Sequence, residues 1–181
     1  DGSYEALVYL AVMPALRGAL ANEWRVRESD VATRLLEAWR VPLPDALWTP
    51  LFSAQVMPRL ASELAAWQPK PDAMPPHHWL HPWLPLLPPP GLSDLYPQLR
   101  HKLSTALGAM RATDAKTVAL IAPWRTSLDA ASWQGLVTRH VLPKLAHTLS
   151  QEFQINPAAQ DVEPLVGVLA WSGVVMPIEG M

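Results

Sequence analysis

Apolar residues recur at intervals of three and four along most of this chain, the spacing that puts them on one face of an α-helix. In the first segment Tyr4, Leu7, Val8 and Ala11, then Leu16, Leu20 and Trp24, follow it, and Pro14 interrupts it. An interior proline removes a backbone donor and costs about 3 kcal/mol. The pattern therefore predicts either a kink at Pro14 or the end of one helix and the start of the next. Ser29 and Asp30 offer N-caps for a helix through Val31, Leu35, Leu36 and Trp39, which Pro42 and Pro44 end. A longer face runs from Asp45 through Leu47, Trp48, Leu51, Phe52, Val56, Leu60 and Leu64 to Trp67, again with a proline, Pro58, inside it.

Nine of the chain's 20 prolines then fall between Pro69 and Pro90. Proline-rich linkers are usually free of bulky apolar residues, but this passage carries Trp79, Trp83 and three histidines in the string Trp79-Leu80-His81-Pro82-Trp83-Leu84-Pro85-Leu86-Leu87. It reads as a pinned crossing segment between helices. Beyond it, Ser93 or Asp94 can cap a helix bearing Leu95, Leu99, Leu103 and Leu107, with Pro97 in its first turn, where proline is tolerated. Thr113 or Asp114 caps a short helix through Val118 and Ile121, closed by Pro123. Ser132, Trp133, Leu136, Val137, Val141, Leu145 and Leu149 make another long face around Pro143, ending near Asn156-Pro157. Asp161 to Val175 reads as helix, although its valines also favour strand.

Aligned on their prolines, four segments share a form: Val12-Met13-Pro14-Ala15-Leu16, Val56-Met57-Pro58-Arg59-Leu60, Leu95-Tyr96-Pro97-Gln98-Leu99 and Val141-Leu142-Pro143-Lys144-Leu145. The prolines lie 44, 39 and 46 residues apart. Trp48 to Leu64 and Trp133 to Leu149 share seven identities in 17 positions. Periods of this length with two helices per unit are those of stacked helical arrays, in which each unit leans on its neighbours. The alternative is an irregular all-helical domain whose prolines coincide. The expected fold class is all-α: a solenoid-like helical-repeat array of antiparallel helix pairs with a proline-rich crossing segment, one domain over 1–181. Its first helices lie in 1–67, the proline-rich joint in 68–92 and the later helices in 93–181.

Composition narrows the function classes. Half the residues are apolar and 17% are charged, against roughly 25% charged in an average soluble domain, so much of the surface is expected to face protein. The net charge is −2 and the 14 basic residues form no run, which leaves no electrostatic footprint for nucleic acid. With no cysteine there is no disulfide framework or thiolate metal site. The apolar run Ala6 to Met13 lacks the preceding positive charge of a signal peptide, and the stretch from Val166 to Ile178 is short of the roughly 20 residues of a membrane span. The absence of Met at residue 1 predicts a piece of a longer protein.

Candidate chemistry is sparse. His77, His78 and His81 invite a metal reading, but prolines disfavour the regular helix that would bring His77 and His81 together, and no acidic residue between Asp72 and Asp94 completes a ligand set. The expectation is histidines bonded to backbone or solvent, with no metal or other cofactor. Trp48 and Trp133 stand in register with leucines and read as core. Trp79 and Trp83, with His81 beside them, are the candidates for an exposed protein-binding anchor. Carboxylates occur singly, serines lack a nucleophile elbow, and no glycine-rich phosphate motif is present, so no enzyme is expected. The alternative to a protein-binding scaffold is an RNA-contacting module in which Arg100, His101, Lys102, Lys116, Arg125 and Arg139 line a groove.

Trp79 to Leu86, followed by Leu95-Tyr96-Pro97 and Arg100-His101-Lys102-Leu103-Ser104-Thr105-Ala106-Leu107, resembles the C-terminal helical domain of the tuftelin-interacting protein family of splicing factors, also called the GC-rich-sequence DNA-binding factor-like domain. The resemblance continues through Asp114-Ala115-Lys116, Ala122-Pro123-Trp124, Trp133, Val141 to Leu145 and Ile155-Asn156-Pro157, and reaches back to Leu7-Val8-Tyr9 with Met13-Pro14. It implies a nuclear, non-enzymatic spliceosomal component acting in disassembly of the intron-lariat complex. It also implies a DEAH-box RNA helicase as partner, recruited through a glycine-rich patch that this chain does not contain. This piece would then be the part that docks on spliceosomal proteins. Family members carry a tryptophan and proline ahead of the Asp114 region where this chain has Met110-Arg111-Ala112-Thr113, so that turn is expected to be rebuilt. The family domain also runs beyond the equivalent of Trp171-Ser172-Gly173, which predicts an unfinished last repeat.

Overall fold

A computed structural model of the protein describes residues 2–70, 73–155 and 158–175. Every regular element among the described residues is helical, so the chain is all-α, as its periodicity dictates. The prolines decide where the helices break. Helix α1 (Gly2–Ala11) gives way to α2 (Met13–Gly18), which starts on Pro14 and runs into a π turn (Ala19–Glu23), with a bend of 41° between the two helices. Pro58 and Pro143 stand in the first two residues of α5 (Met57–Ala66) and α10 (Leu142–His147).

Each of those two helices follows directly on a π turn, Phe52–Val56 after α4 (Asp45–Leu51) and Val137–Val141 after α9 (Ala130–Leu136). A proline ring collides with the carbonyl four residues earlier and offers it no donor. Widening the helix by one residue just ahead of the proline relieves both problems without ending the helix. The two stretches most alike in sequence thus share one local structure. Pro97 is the second residue of α7 (Tyr96–Ala109) and breaks nothing.

Short helices alternate with these long ones, each with a tryptophan at or just beyond its end. Helix α3 (Ser29–Trp39) ends on Trp39. Helix α6 (His77–Leu80) tightens into a 3₁₀ turn, His81–Trp83, and α8 (Ala115–Ile121) does the same at Ala122–Trp124. Helix α11 (Glu163–Leu169) leads to Trp171 and a last turn, α12 (Ser172–Val175). The tryptophans lie 44, 41 and 47 residues apart. The Trp83 carbonyl accepts from the N–H groups of Leu86 and Leu87, that of Trp124 from Ser127 and Leu128, and that of Trp171 from Val174 and Val175, at 2.8 to 3.2 Å. The Trp39 carbonyl accepts from Leu43 alone at 2.9 Å.

The described residues gather into two compact units, one from 1–67 with 74–98, the other from 68–73 with 99–181. In the first, the aromatic rings form a chain: Trp24 to Trp83 at 4.8 Å between centroids, Trp83 to Phe52 at 6.1 Å and Phe52 to Trp48 at 4.7 Å. The Trp48 indole N–H donates to the Leu86 carbonyl at 3.0 Å and that of Trp67 to the Met74 carbonyl at 3.0 Å. Arg59, just after Pro58, donates to the Leu20 carbonyl and to those of Ala21 at 3.0 Å and Trp24 at 2.7 Å, closing the end of the first long helix. The second unit repeats the device. Lys144, just after Pro143, donates to the carbonyls of Leu107, Gly108 and Met110 at the end of α7. The carbonyls that a helix C-terminus leaves unpaired are met in both units by one cation from the neighbouring long helix.

Several expected faces are rotated or cut. On α1 only Val8 is buried, while Tyr4 and Leu7 are exposed. Helix α3 buries Ala32, Thr33 and Leu36 and leaves Val31 outside, because the Thr33 hydroxyl is satisfied by the carbonyls of Ser29 and Asp30 and so tolerates burial. Trp48 is core, as expected, but Trp133 is only half-buried. The cap of α9 is Asp129, whose carboxylate accepts from the Ser132 N–H at 2.9 Å. The segment from Glu163 to Val175 is helical, with a turn at Ala170 and Trp171, and Asn156-Pro157 lies outside the described residues.

Candidate interaction surface

The passage from His77 to Leu87 folds into the first unit because its prolines cap short turns instead of preventing them. Pro76 precedes the single α turn and Pro82 sits in the 3₁₀ turn, so a helical turn does form where a regular helix was not expected. Its direction is fixed by burial. Trp79, Leu80 and Trp83 are fully enclosed. The proposed anchor tryptophans are therefore core residues: the helical turn aims Trp79 and Leu80 inward, and Trp83 fills the space between Trp24 and Phe52. The indole N–H groups of Trp79 and Trp83 have no hydrogen-bond partner, which costs each on the order of 1–3 kcal/mol against the gain from burying the ring.

His81 is half-buried and His78 exposed. The turn brings the His77 ring to 4.5 Å from His78 and 5.9 Å from His81, centroid to centroid. Burial first, and the two neighbouring imidazoles second, lower the His77 pKa from 6.5 to about 4. Burial also lowers that of His81. Burial therefore favours the neutral rings of His77 and His81 near pH 7. No group of three metal-ligand side chains able to hold an ion occurs among the described residues.

The six residues of the RNA reading, Arg100, His101, Lys102, Lys116, Arg125 and Arg139, all lie in the second unit. Arg100 donates to the Ser132 hydroxyl and stands 3.7 Å from the Asp129 carboxylate, and Arg125 donates to the Gly173 carbonyl. Both guanidinium groups thus tie helices together. Lys116 and Arg139 are exposed and Lys102 is half-buried.

Sequence reasoning missed a surface in the same unit. A groove of about 580 Å³ runs between α11, the loop around Thr113 and the π turn that ends the long helix, Thr148–Glu152. The sole sequence signal for it was the apolar run Pro164-Leu165-Val166 beside Asp161 and Glu163.

Short tryptophan-ended helices, long helices broken at prolines and cation-closed helix ends define an all-helical protein of alternating short and long elements. The chain belongs to the GC-rich sequence DNA-binding factor-like protein family, whose model it matches over residues 1–179. It is 31% identical over 173 residues to tuftelin-interacting protein 11 of Rattus norvegicus, and 33% identical over 172 residues to that of Xenopus tropicalis. These matches cover 96% and 95% of the chain but 20% of each relative, so the chain spans about a fifth of their length.

Among the described residues, no single helix is long and apolar enough to cross a membrane.

Proposed function

We propose that this chain is a non-catalytic scaffold: a solenoid-like array of helix pairs that docks a nuclear pre-mRNA splicing factor onto protein components of the spliceosome. On this reading it is the C-terminal helical region of a factor that acts in disassembly of the intron-lariat complex. Its DEAH-box helicase partner is engaged through a glycine-rich patch outside these 181 residues.

The observation that carries the reading is the recurrence of one local design. Tryptophan-ended short helices alternate with proline-bearing long helices at spacings of 41 to 47 and 39 to 46 residues, and the cations after Pro58 and Pro143 close the neighbouring long helix in the same way. Units of this kind stack because none can bury its apolar face alone, and stacked helical arrays offer long surfaces to protein partners. The similarity to tuftelin-interacting protein 11 supports the splicing role.

The test is affinity capture from nuclear extract with the chain as bait, read by mass spectrometry. Spliceosomal proteins of the late, lariat-containing complex should be enriched over a scrambled-surface control. Recovery of no splicing protein, by this chain and by a longer version carrying the flanking residues, would sink the reading.

A further inference from the structure

The first long helix and α7 end alike but are covered differently. Arg59 donates to the carbonyls of Leu20, Ala21 and Trp24, and Lys144 to those of Leu107, Gly108 and Met110. Trp24 and Met110 hold matching places. Each is the first residue past its helix, and each offers the last carbonyl that the cation reaches.

At Arg59 the place is filled. The Trp24 ring stands 5.0 Å from the guanidinium and 4.8 Å from the Trp83 ring, and the residue is 6% exposed. At Lys144 no aromatic ring from the described residues lies over the ammonium. Met110 is only half-buried, and a pocket of about 380 Å³ opens there, with Ala109, Met110, Ala112, Pro143, Lys144 and Thr148 in its lining. That volume is at the lower end of those that hold ligands.

Charge says what the pocket fits. Lys144 meets neutral carbonyls and no carboxylate. Arg111, the other permanent cation of the lining, is paired with Glu152 at 2.7 Å. One positive charge is left without a carboxylate, which favours the negative face of an aromatic ring and opposes a lysine or arginine. The first unit shows the same choice made within the chain, by Trp24. It also shows that later repeats do not fill such a place. The chain runs on well beyond α5, yet the hydrogen bonds and the ring contact of the Arg59 guanidinium are all with Leu20, Ala21 and Trp24.

We propose that the pocket beside Lys144 receives an aromatic side chain, tryptophan above all, from a protein partner, its ring lying over the Lys144 ammonium as Trp24 lies over Arg59. The proposal rests on the scaffold reading and names the anchor by which one of its partners is held. A single buried ring of this kind carries a large share of the affinity of a protein contact.

The test titrates N-acetyltryptophanamide into the ¹⁵N-labelled full chain and follows the amide signals by NMR, with N-acetylleucinamide as the apolar control. Shifts should centre on Ala109 to Thr113 and on His147 and Thr148, and saturate with a Kd of about 1 mM. The leucine probe should bind about threefold more weakly or worse. Met110→Trp supplies the ring from the chain itself, so it should raise the melting temperature by roughly 2–4 °C and erase the probe shifts. Ala109→Phe, at an exposed position of the lining, is a second block and should weaken the probe about tenfold with the circular dichroism spectrum unchanged.

No saturable shifts, shifts centred elsewhere, equal binding of the two probes, or probe binding that survives both variants overturns the proposal. So do concentration-dependent shifts of the same amides without any probe, which would give the pocket to a second copy. A longer version of the chain that no longer binds the probe would give it to the chain's own continuation, with the same result. In the capture experiment above, Met110→Trp should lose a splicing protein that the parent recovers. Capture unchanged by Met110→Trp removes the pocket and keeps the scaffold.

Discussion

Trp83 and His78 are five residues apart in adjoining turns and show how local geometry divides neighbouring side chains. Trp83 lies between Trp24 and Phe52 with no exposed surface, while His78 faces solvent. Trp83→Ala should cost about 3–5 kcal/mol in urea unfolding and His78→Ala little. Equal losses would place Trp83 outside the core. His77 makes a second prediction. Its pKa is lowered from 6.5 to about 4, so the folded chain favours the neutral ring and the unfolded chain binds the additional proton in between. Stability should be level with respect to this group above pH 6.5 and fall as pH drops from 6.5 towards 4. His77→Asn should make that decline shallower, as read from denaturant midpoints across the window. The sequence put the three histidines close together but not their burial, which depends on the chain packed over the turn.

Two helix ends in this protein are closed by a cation from a neighbouring helix, Arg59 and Lys144. Lys144 meets three carbonyls at the end of α7. Lys144→Met keeps much of the stem and removes the charge, so it should cost about 1.5–3 kcal/mol and speed hydrogen exchange at the end of α7. Lys144→Arg should recover part of the loss. At α11 the close approach of backbone to loop governs. A Gly→Ala change inside a helix ordinarily gains about 1 kcal/mol. At Gly167 the new methyl would meet Thr113 at 2.7 Å, so the sign should reverse, with a net loss of about 1–3 kcal/mol. Thr113→Gly should rescue Gly167→Ala, and thermal unfolding of the four proteins closes the cycle. Neither feature was legible in the sequence. A lysine after a proline and a glycine among valines are common strings, and only the neighbouring helix gives them a role.

For the molecule as a whole, charge and composition lead to a further prediction. A net charge of −2, with Arg100 and Arg125 engaged inside the second unit, leaves little to release counterions from a nucleic acid. A single-stranded RNA oligonucleotide should not bind measurably at low salt in filter binding. Tight binding with a steep salt slope would restore the RNA-contacting reading. The low charged fraction was visible in the composition and pointed to protein partners. The groove lined by Asp114, Glu152 and Asp161 was not, because these carboxylates come from separate segments and meet only where α11 packs.

Periodicity of three and four determined the all-helical class and most buried leucines, since a helix that must bury one face writes that face into its sequence. The prolines and the Trp79 to Leu87 string were also sufficient to suggest a repeated design and a family. Tertiary structure decided the rest. It set how each proline was accommodated, because a kink, a π turn and a first-turn position all satisfy the same missing donor. It set which tryptophans are covered, because Trp48 and Trp133 occupy matching positions in sequence yet only Trp48 is enclosed. And it set Gly167 of α11 directly against Thr113, because a close approach belongs to pairs of elements and no single helix encodes what lies against it.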